Sequence, residues 1–344
     1  MPNDILSRAI DELCEGTHLT ADHTSTALAE IMEGRASEVQ TAAFLIALRA
    51  KGETVSELVG LARTMRSLAA HVEIDHPGLV DTAGTGGGPT TFNISTTAAL
   101  IAAGAGCSVA KHGNRSATSR SGSADVLEAL GVDIELSPEE VATCINEIGF
   151  GFMFAPKHHR AMAHVVPVRN ELAVRTIFNF LGPLTNPAGA TAHLLGVSDR
   201  TYQEIIAEAL VQLGCMRALV VSADDGIDEL SLASRTRVIE VAEGGTEEWF
   251  VGAADLGLQA APLDAIPGGE PADNAAVVRS VLEGETGPAR DVSVLNAGAA
   301  IYVAGGAPDL QEGVTKASEA IDSGAARDVL ERLASRSREL SGAG

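Results

Sequence analysis

The first seventy positions repeat their apolar residues at helical spacing. Ile5-Leu6, Ala9-Ile10 and Leu13 share one face, and Leu28, Ile31 and Met32 continue the same period. Ser37 with Gln40, and Thr54 with Glu57, have the spacing of capping boxes, each opening an apolar run. Gly34 and Gly52 stand where helices stop. Residues 1–70 therefore predict a small domain of short helices whose side chains serve packing or dimerisation. From Leu79 the texture changes to short apolar runs alternating with helical stretches. Leu79-Val80-Asp81 reads as a strand running into a glycine loop, Ser95–Ala103 as a helix, and Cys107–Ala110 as the next strand. Ser123–Leu130 reads as helical, and Ser137-Pro138-Glu139-Glu140 opens a further helix with proline in its first turn. Phe150–Phe154, His193–Val197 and Arg217–Ser222 are further strands, with a helix over Thr201–Leu213. Such alternation predicts βαβ units and a largely parallel sheet over residues 71–344, with ligands gathering at the carboxyl ends of the strands.

The segment 166–190 interrupts the alternation with proline- and glycine-bounded turns, and reads as a hinge crossing back to the helical domain. Beyond Glu240 a more acidic α/β tail ends in helices near 292–304 and 309–338. No internal repeat or low-complexity segment is evident.

Charge narrows the function. The 344 residues carry 46 acids against 24 Lys and Arg, a net charge of −22. That balance argues against nucleic acid or an anionic membrane surface as the main partner. Aromatic residues are only 3% of a chain that is 45% hydrophobic, so Ala, Leu, Val and Ile must fill the core. Cys14, Cys107, Cys144 and Cys215 match no metal spacing and read as reduced thiols. With no apolar run of about 18 residues, the expectation is a soluble cytoplasmic protein.

One stretch departs from the acidic background. From Thr82 to Ala124 there is no Asp or Glu. Glycines, hydroxyls and the cations Lys111, His112, Arg115 and Arg120 occupy it instead, which suits a strongly anionic ligand, phosphate or diphosphate. Within it, Gly84-Thr85-Gly86-Gly87-Gly88 precedes Asn93-Ile94-Ser95-Thr96, where a helix N-terminus adds its dipole and amides. The pattern is neither the dinucleotide G-x-G-x-x-G with its ribose-binding acid nor a Walker loop. Lys111-His112-Gly113-Asn114-Arg115-Ser116, with Ser119, Arg120 and Ser123 beyond, suits chelation of several phosphate oxygens, a solvated basic loop being the plainer alternative. Asp225-Gly226-Ile227-Asp228-Glu229 follows an apolar run and offers hard oxygen ligands for Mg²⁺, or is an exposed acidic turn. Arg169 suits a planar carboxylate, or a surface salt bridge. His158-His159 lacks a third metal ligand and reads as packing or pocket wall.

Taken together and in this order, the motifs resemble the anthranilate phosphoribosyltransferase family across essentially the whole chain. The most specific segments are KHGNRSATSRSGSADVLEALG (111–131), RTIFNFLGPLTNPAGA (175–190) and DGIDE (225–229). The resemblance implies a small N-terminal α-helical domain plus a large α/β domain with a mostly parallel central sheet, as in class-III nucleoside phosphorylases, and a homodimer formed through the N-terminal helices. It implies that phosphoribosyl pyrophosphate is bound by Gly84, Gly87, Gly88, Thr91, Asn93, Ile94, Ser95, Thr96, Lys111, His112, Gly113, Asn114, Arg115, Ser116, Ala117, Thr118, Ser119 and Ser123. Anthranilate would meet Gly84, Asn114 and Arg169, and Mg²⁺ would sit on Ser95, Asp228 and Glu229. Lys111, His112 and Asn114 are the catalytic candidates. Two positions depart from the family pattern: Gly88 stands where the family loop has Asp, and Arg160 stands where a proline often follows the histidine pair.

The implied reaction moves the 5-phosphoribosyl group to the amine of anthranilate and releases diphosphate, the second step from chorismate to tryptophan. A ribosyl centre of this kind reacts through an oxocarbenium-like state, so leaving-group stabilisation and positioning dominate. The arylamine is uncharged near neutral pH, and no strong general base is expected. Two other readings share the fold: a pyrimidine nucleoside phosphorylase, disfavoured by the KHGN and DGIDE segments, and a nucleic-acid-binding relative, disfavoured by the charge.

Overall fold

A computed structural model describes residues 2–74, 78–116 and 120–342. Four helices open the chain: α1 (Asp4–Cys14), α2 (Ala21–Met32), α3 (Glu38–Lys51) and α4 (Val55–Ser67). The Thr54–Glu57 capping box forms in full. At α3 only half of the expected box forms. Ser37 accepts from the Gln40 N–H, but the Gln40 side chain instead spans to α1, accepting from Asn3 N and donating to Asn3 O. A tertiary partner has outcompeted the local one.

The second part of the chain builds a seven-stranded sheet in the order β3-β2-β1-β4-β5-β6-β7. In chain order its elements are β1 (Val80–Gly84), α5 (Ile94–Gly104), β2 (Val109–Gly113), α6 (Ser123–Ala129), α7 (Pro138–Ile148) and β3 (Phe150–Phe154). The crossing segment follows as α8 (Ala155–His158), α9 (Val166–Leu172) and α10 (Phe178–Leu181). Then come β4 (Ala192–Gly196), α11 (Gln203–Gln212), β5 (Arg217–Ala223), β6 (Thr236–Ala242) and β7 (Gly245–Val251). The C-terminal helices are α12 (Pro271–Leu282), α13 (Pro288–Val303), α14 (Leu310–Asp322) and α15 (Ala325–Ser341). Strands β1 to β5 pair in parallel, and β6 and β7 add an antiparallel edge.

Three expectations shift. Strand β2 starts at Val109 and carries Lys111, His112 and Gly113 on its end rather than in a loop. The helix expected over 309–338 is two helices, because Gly324 adopts a left-handed φ of +80° between α14 and α15. A short 3₁₀ turn, Arg200–Tyr202, precedes α11.

Two apolar clusters hold these elements. One joins α5, α6, α7, α12, α13, α14 and α15 to the sheet. The other joins Leu6, Leu28, Phe44 and Leu58 of the N-terminal helices to Phe178, Phe180 and Leu181 of α10, to Ile206 and Leu210 of α11, and to Leu195 and Val220 of the sheet. Each fully buried side chain of this size contributes about 1.5–3 kcal/mol. The N-terminal helices therefore share their core with the crossing segment and the sheet. Among the described residues no helix is long and apolar enough to cross a membrane.

Candidate active site

The strand order reverses between β1 and β4, and at such switch points the carboxyl ends of parallel strands leave a crevice. Here the crevice widens into a cavity of about 1060 Å³. Its floor depends on two paired glycines, Gly84 on β1 and Gly196 on β4. A Cβ on Gly196 would lie 1.6 Å from the Asp228 carbonyl oxygen, and one on Gly84 would lie 2.3 Å from Asp228 Oδ2. Only glycine at both strand ends admits Asp228 to the floor.

The glycine loop turns at Gly86 and Gly87, with φ of +64° and +88°. The Gly86 N–H donates to Asp228 Oδ2 at 2.7 Å, and the Gly86 carbonyl accepts from Ser198 Oγ at 2.6 Å. Gly88 has a specific reason to lack a side chain: its Cβ would stand 2.4 Å from the Gly226 carbonyl oxygen. The carboxylate that enters this loop comes from Asp228, not from position 88.

Helix α5 points its N-terminus into the cavity without a side-chain cap. The N-cap residue, Asn93, spends its side chain elsewhere, donating to Ser121 O and accepting from Ser121 Oγ and Asn274 Nδ2. An uncapped N-terminus with its dipole is an anion site.

Lys111 is 2% exposed. Its Nζ donates to Thr82 O, to Thr82 Oγ1 at 3.1 Å and to Ser95 Oγ at 3.4 Å. Burial lowers its pKa, opposed by the charges of Asp81 and Glu229. Asp81 is fully buried on β1, accepting from Asn186 Nδ2 at 2.7 Å and from the His112 N–H at 3.2 Å. Burial raises Asp81 to about 6, against the pull of Lys111 and those hydrogen bonds.

His112 faces the Gly182 carbonyl through Nδ1 at 3.2 Å, which assigns the proton to that nitrogen. Among the described residues its buried Nε2 has no hydrogen-bond partner. Burial, then His159, pushes His112 down to about 3, so the ring is neutral. His159 stands with its ring centroid 5.0 Å away, pushed to about 4 by burial.

The two acids on the floor are half-buried and line the cavity. Burial raises Asp228, opposed by the Gly86 N–H and Arg175. Burial and the neighbouring Asp228 charge raise Glu229 to about 8, opposed by Lys111 and the Ser95 N–H. Two carboxyls forced together and short of positive charge, with the Ser95 hydroxyl beside Lys111, form a hard-oxygen donor set. That chemistry fits Mg²⁺, which binds through one or two carboxylates, water and substrate phosphates. Among the described residues no group of three or more His, Cys, Asp or Glu could hold a metal alone, so ligand oxygens must complete the site. Asp225 takes no part, since it accepts from Ser231 Oγ and Ile227 N.

At the other end the wall is formed by His159, Arg160, Met162, Val166, Arg169 and Phe178. Arg169 of α9 lies 5.5 Å from the Phe178 ring centroid, and burial lowers its pKa. Among the described residues no carboxylate pairs with it, so the salt bridge weighed for it is absent.

Nearly all the residues singled out in the sequence converge. Gly84, Gly87, Gly88, Thr91, Asn93, Ile94, Ser95, Lys111, His112, Gly113, Asn114, Arg115, Ser116, Ser123, Arg169, Asp228 and Glu229 line this cavity. Thr96 is wholly buried and its hydroxyl lies beneath the wall. Ala117, Thr118 and Ser119 lie outside the described residues. The stretch 82–124 is free of acids along the chain but not in space: Arg115 is ion-paired to Glu128 and Asp125, just beyond it. Sequence reading missed Asp81, Asn186 and Arg175. The signal for Asp81 was an acid closing an apolar strand; Arg175 and Asn186 lie in the 175–190 segment that carried the resemblance, but no role was read for either.

A helical bundle set over a mostly parallel sheet, with a glycine loop at the switch point, is the two-part architecture that the glycosyl transferase family models describe. Residues 7–69 match the glycosyl transferase family helical bundle domain, and residues 76–327 match the glycosyl transferase family a/b domain. Anthranilate phosphoribosyltransferase of Rubrobacter xylanophilus is 54% identical over 342 residues, covering 99% of this chain and 100% of that protein. The crystal structure of anthranilate phosphoribosyltransferase from Thermus thermophilus superposes with a TM-score of 0.91 at 47% identity, covering 96% of this chain and 99% of that one. The Saccharomyces cerevisiae enzyme in complex with PRPP and Mg superposes with a TM-score of 0.89 at 27% identity, over 97% and 98% of the two chains. The chain belongs to the anthranilate phosphoribosyltransferase family.

Proposed function

We propose that this protein transfers the 5-phosphoribosyl group from phosphoribosyl pyrophosphate to the amine of anthranilate, releasing diphosphate. The observation that carries the reading is the polarity of the cavity. One end offers an anion loop, an uncapped helix N-terminus and a buried lysine; the other offers a desolvated guanidinium, without a carboxylate among the described residues, against an aromatic ring. A diphosphate suits the first and an aryl carboxylate the second.

In this reading the amides of the glycine loop and of α5, with Ser123 and Asn114, bind the phosphates, and Lys111 faces the charge that develops on the leaving diphosphate. Ser95, Asp228 and Glu229 would hold Mg²⁺, which when bound supplies charge neutralisation to the diphosphate. Arg169 holds the anthranilate carboxylate, and Asn114 and the backbone at Gly84 border the amine. His112 lines the cavity as a neutral ring, too weakly basic to remove the amine's proton beforehand. Its low basicity agrees with a nucleophile that attacks uncharged. Met162, Val166 and Phe178 give the acceptor end an apolar wall, from which a bound aryl ring would displace water, the competing acceptor.

Ile5, Val39 and Ile46 are exposed on α1 and α3, which supports pairing of two copies through these helices. The free thiols of Cys14, Cys107, Cys144 and Cys215 support a cytoplasmic setting. The deciding experiment follows anthranilate fluorescence with phosphoribosyl pyrophosphate, with and without Mg²⁺. A Mg²⁺-dependent loss with diphosphate release supports the reading. Donor binding without turnover would overturn the choice of acceptor.

A further inference from the structure

Arg175, on the crossing segment between α9 and α10, reaches the glycine loop. Its Nη2 donates to the Gly86 carbonyl at 3.0 Å, and its guanidinium packs so closely on Gly87 that a Cβ there would lie 2.8 Å from Nη1. Its Cζ lies 5.8 Å from the Phe180 ring centroid. The Arg175 carbonyl in turn accepts from Arg49 Nη1 of α3 at 2.7 Å. Gly86 is thereby gripped through both halves of its backbone: a guanidinium and the Ser198 hydroxyl on its carbonyl, the Asp228 carboxylate on its N–H.

A loop with two successive left-handed glycines has many alternatives in solution, and it keeps one shape only where its partners over-determine it. Among the described residues Arg175 forms no ion pair, so this half-buried cation is committed to a backbone carbonyl and an aromatic face. We propose that Arg175 is a positioning residue for the phosphoribosyl donor. It fixes the Gly86–Gly87 turn against the diphosphate and keys that turn, through Arg49, to the helical bundle. This inference rests on the reading of the cavity as a phosphoribosyl pyrophosphate site. Because the grip lies at the donor end, its loss separates the two substrates, whereas loss of mere packing would affect both alike.

The test uses the full chain and its variants Arg175→Ala, Arg175→Lys and Arg49→Ala. Calorimetric titration with phosphoribosyl pyrophosphate and Mg²⁺ is paired with KM values for both substrates. Arg175→Ala is expected to weaken donor binding and raise the donor KM about tenfold or more, with the anthranilate KM within about twofold. Arg175→Lys should recover part of the loss, and Arg49→Ala should shift donor binding the same way by less. Unchanged donor affinity in Arg175→Ala, or an equal loss for both substrates, overturns the proposal. Should the alanine variant not fold, unchanged donor affinity in Arg175→Lys overturns it instead. If the wild type binds the donor but leaves anthranilate untouched, the acceptor reading falls while the donor titrations still decide this one. If the wild type binds no donor, both fall.

Discussion

Asp81 accepts a hydrogen bond from the backbone N–H of His112 across two parallel strands, at 3.2 Å, and sets a buried carboxylate beneath the ammonium of Lys111. One acid thus fixes the end of β2 that carries two candidate groups and offsets the charge of one of them. Asp81→Asn keeps the shape but leaves Lys111 short of a counter-charge and turns a donor toward Asn186 Nδ2. Leaving a buried N–H facing a donor instead of its acceptor costs about 1–3 kcal/mol, which urea unfolding would read as an earlier midpoint. A midpoint equal to the wild type's would show that this carboxylate does not hold the end of β2.

Arg169 is desolvated and without a carboxylate in the described residues. A carboxylate ligand completes it. Arg169→Ala should raise the anthranilate KM about thirtyfold while leaving donor affinity unchanged, and Arg169→Lys should recover little, since the planar fork is lost. An unaltered anthranilate KM would remove Arg169 from the acceptor end.

Gly88 is held bare by the backbone of the acidic turn, with the Gly226 carbonyl 2.4 Å from where a Cβ would be. Gly88→Ala must push apart the glycine loop and the turn carrying Asp228. The expected result is a loss of about 1–3 kcal/mol in stability and weaker donor binding in calorimetry. Wild-type values for both would mean that the turn yields freely.

His193 lies buried on β4 with Nε2 donating to the Ala190 carbonyl at 2.9 Å, and burial, then Arg66, pushes it down to about 4. The unfolded chain protonates it near the ordinary histidine value of about 6.5. A depressed folded value gives stability that is fully present above about 6.5 and is lost as pH falls toward about 4, up to roughly 3 kcal/mol. Thermal unfolding from pH 7 to pH 4 should fall less steeply in His193→Gln, which keeps a donor for Ala190. Parallel curves would exclude His193 as a source of the acid sensitivity.

What was legible in the sequence was what neighbours along the chain decide. Ser137 and Pro138 opened α7 as expected, Gly149 ended it in a left-handed turn, and Phe150–Phe154 formed β3 at the positions read. The glycine loop and the α5 N-terminus were legible for the same reason. What was not legible depended on distance in the fold. Arg115 looked like a free cation because Asp125 and Glu128 lie past the end of the acid-free stretch, yet helix α6 brings both onto it. Asp228 reaches Gly86 from 142 positions away, and no local pattern announces that contact. Strand β7 was missed as an element because Gly245 to Glu248 are exposed and polar, giving no apolar alternation to read.

The paired glycines at the ends of β1 and β4 seat Asp228 in the sheet itself, while His159, Arg160, Met162, Val166, Arg169 and Phe178 hang on the crossing segment. The two ends of the cavity therefore rest on different foundations, tied together through Arg175, which stands in the crossing segment and holds Gly86. For redesign this matters: the aryl acceptor can be exchanged by rebuilding the crossing segment around residues 159–178, with the diphosphate's seat kept only if Arg175 stays in place.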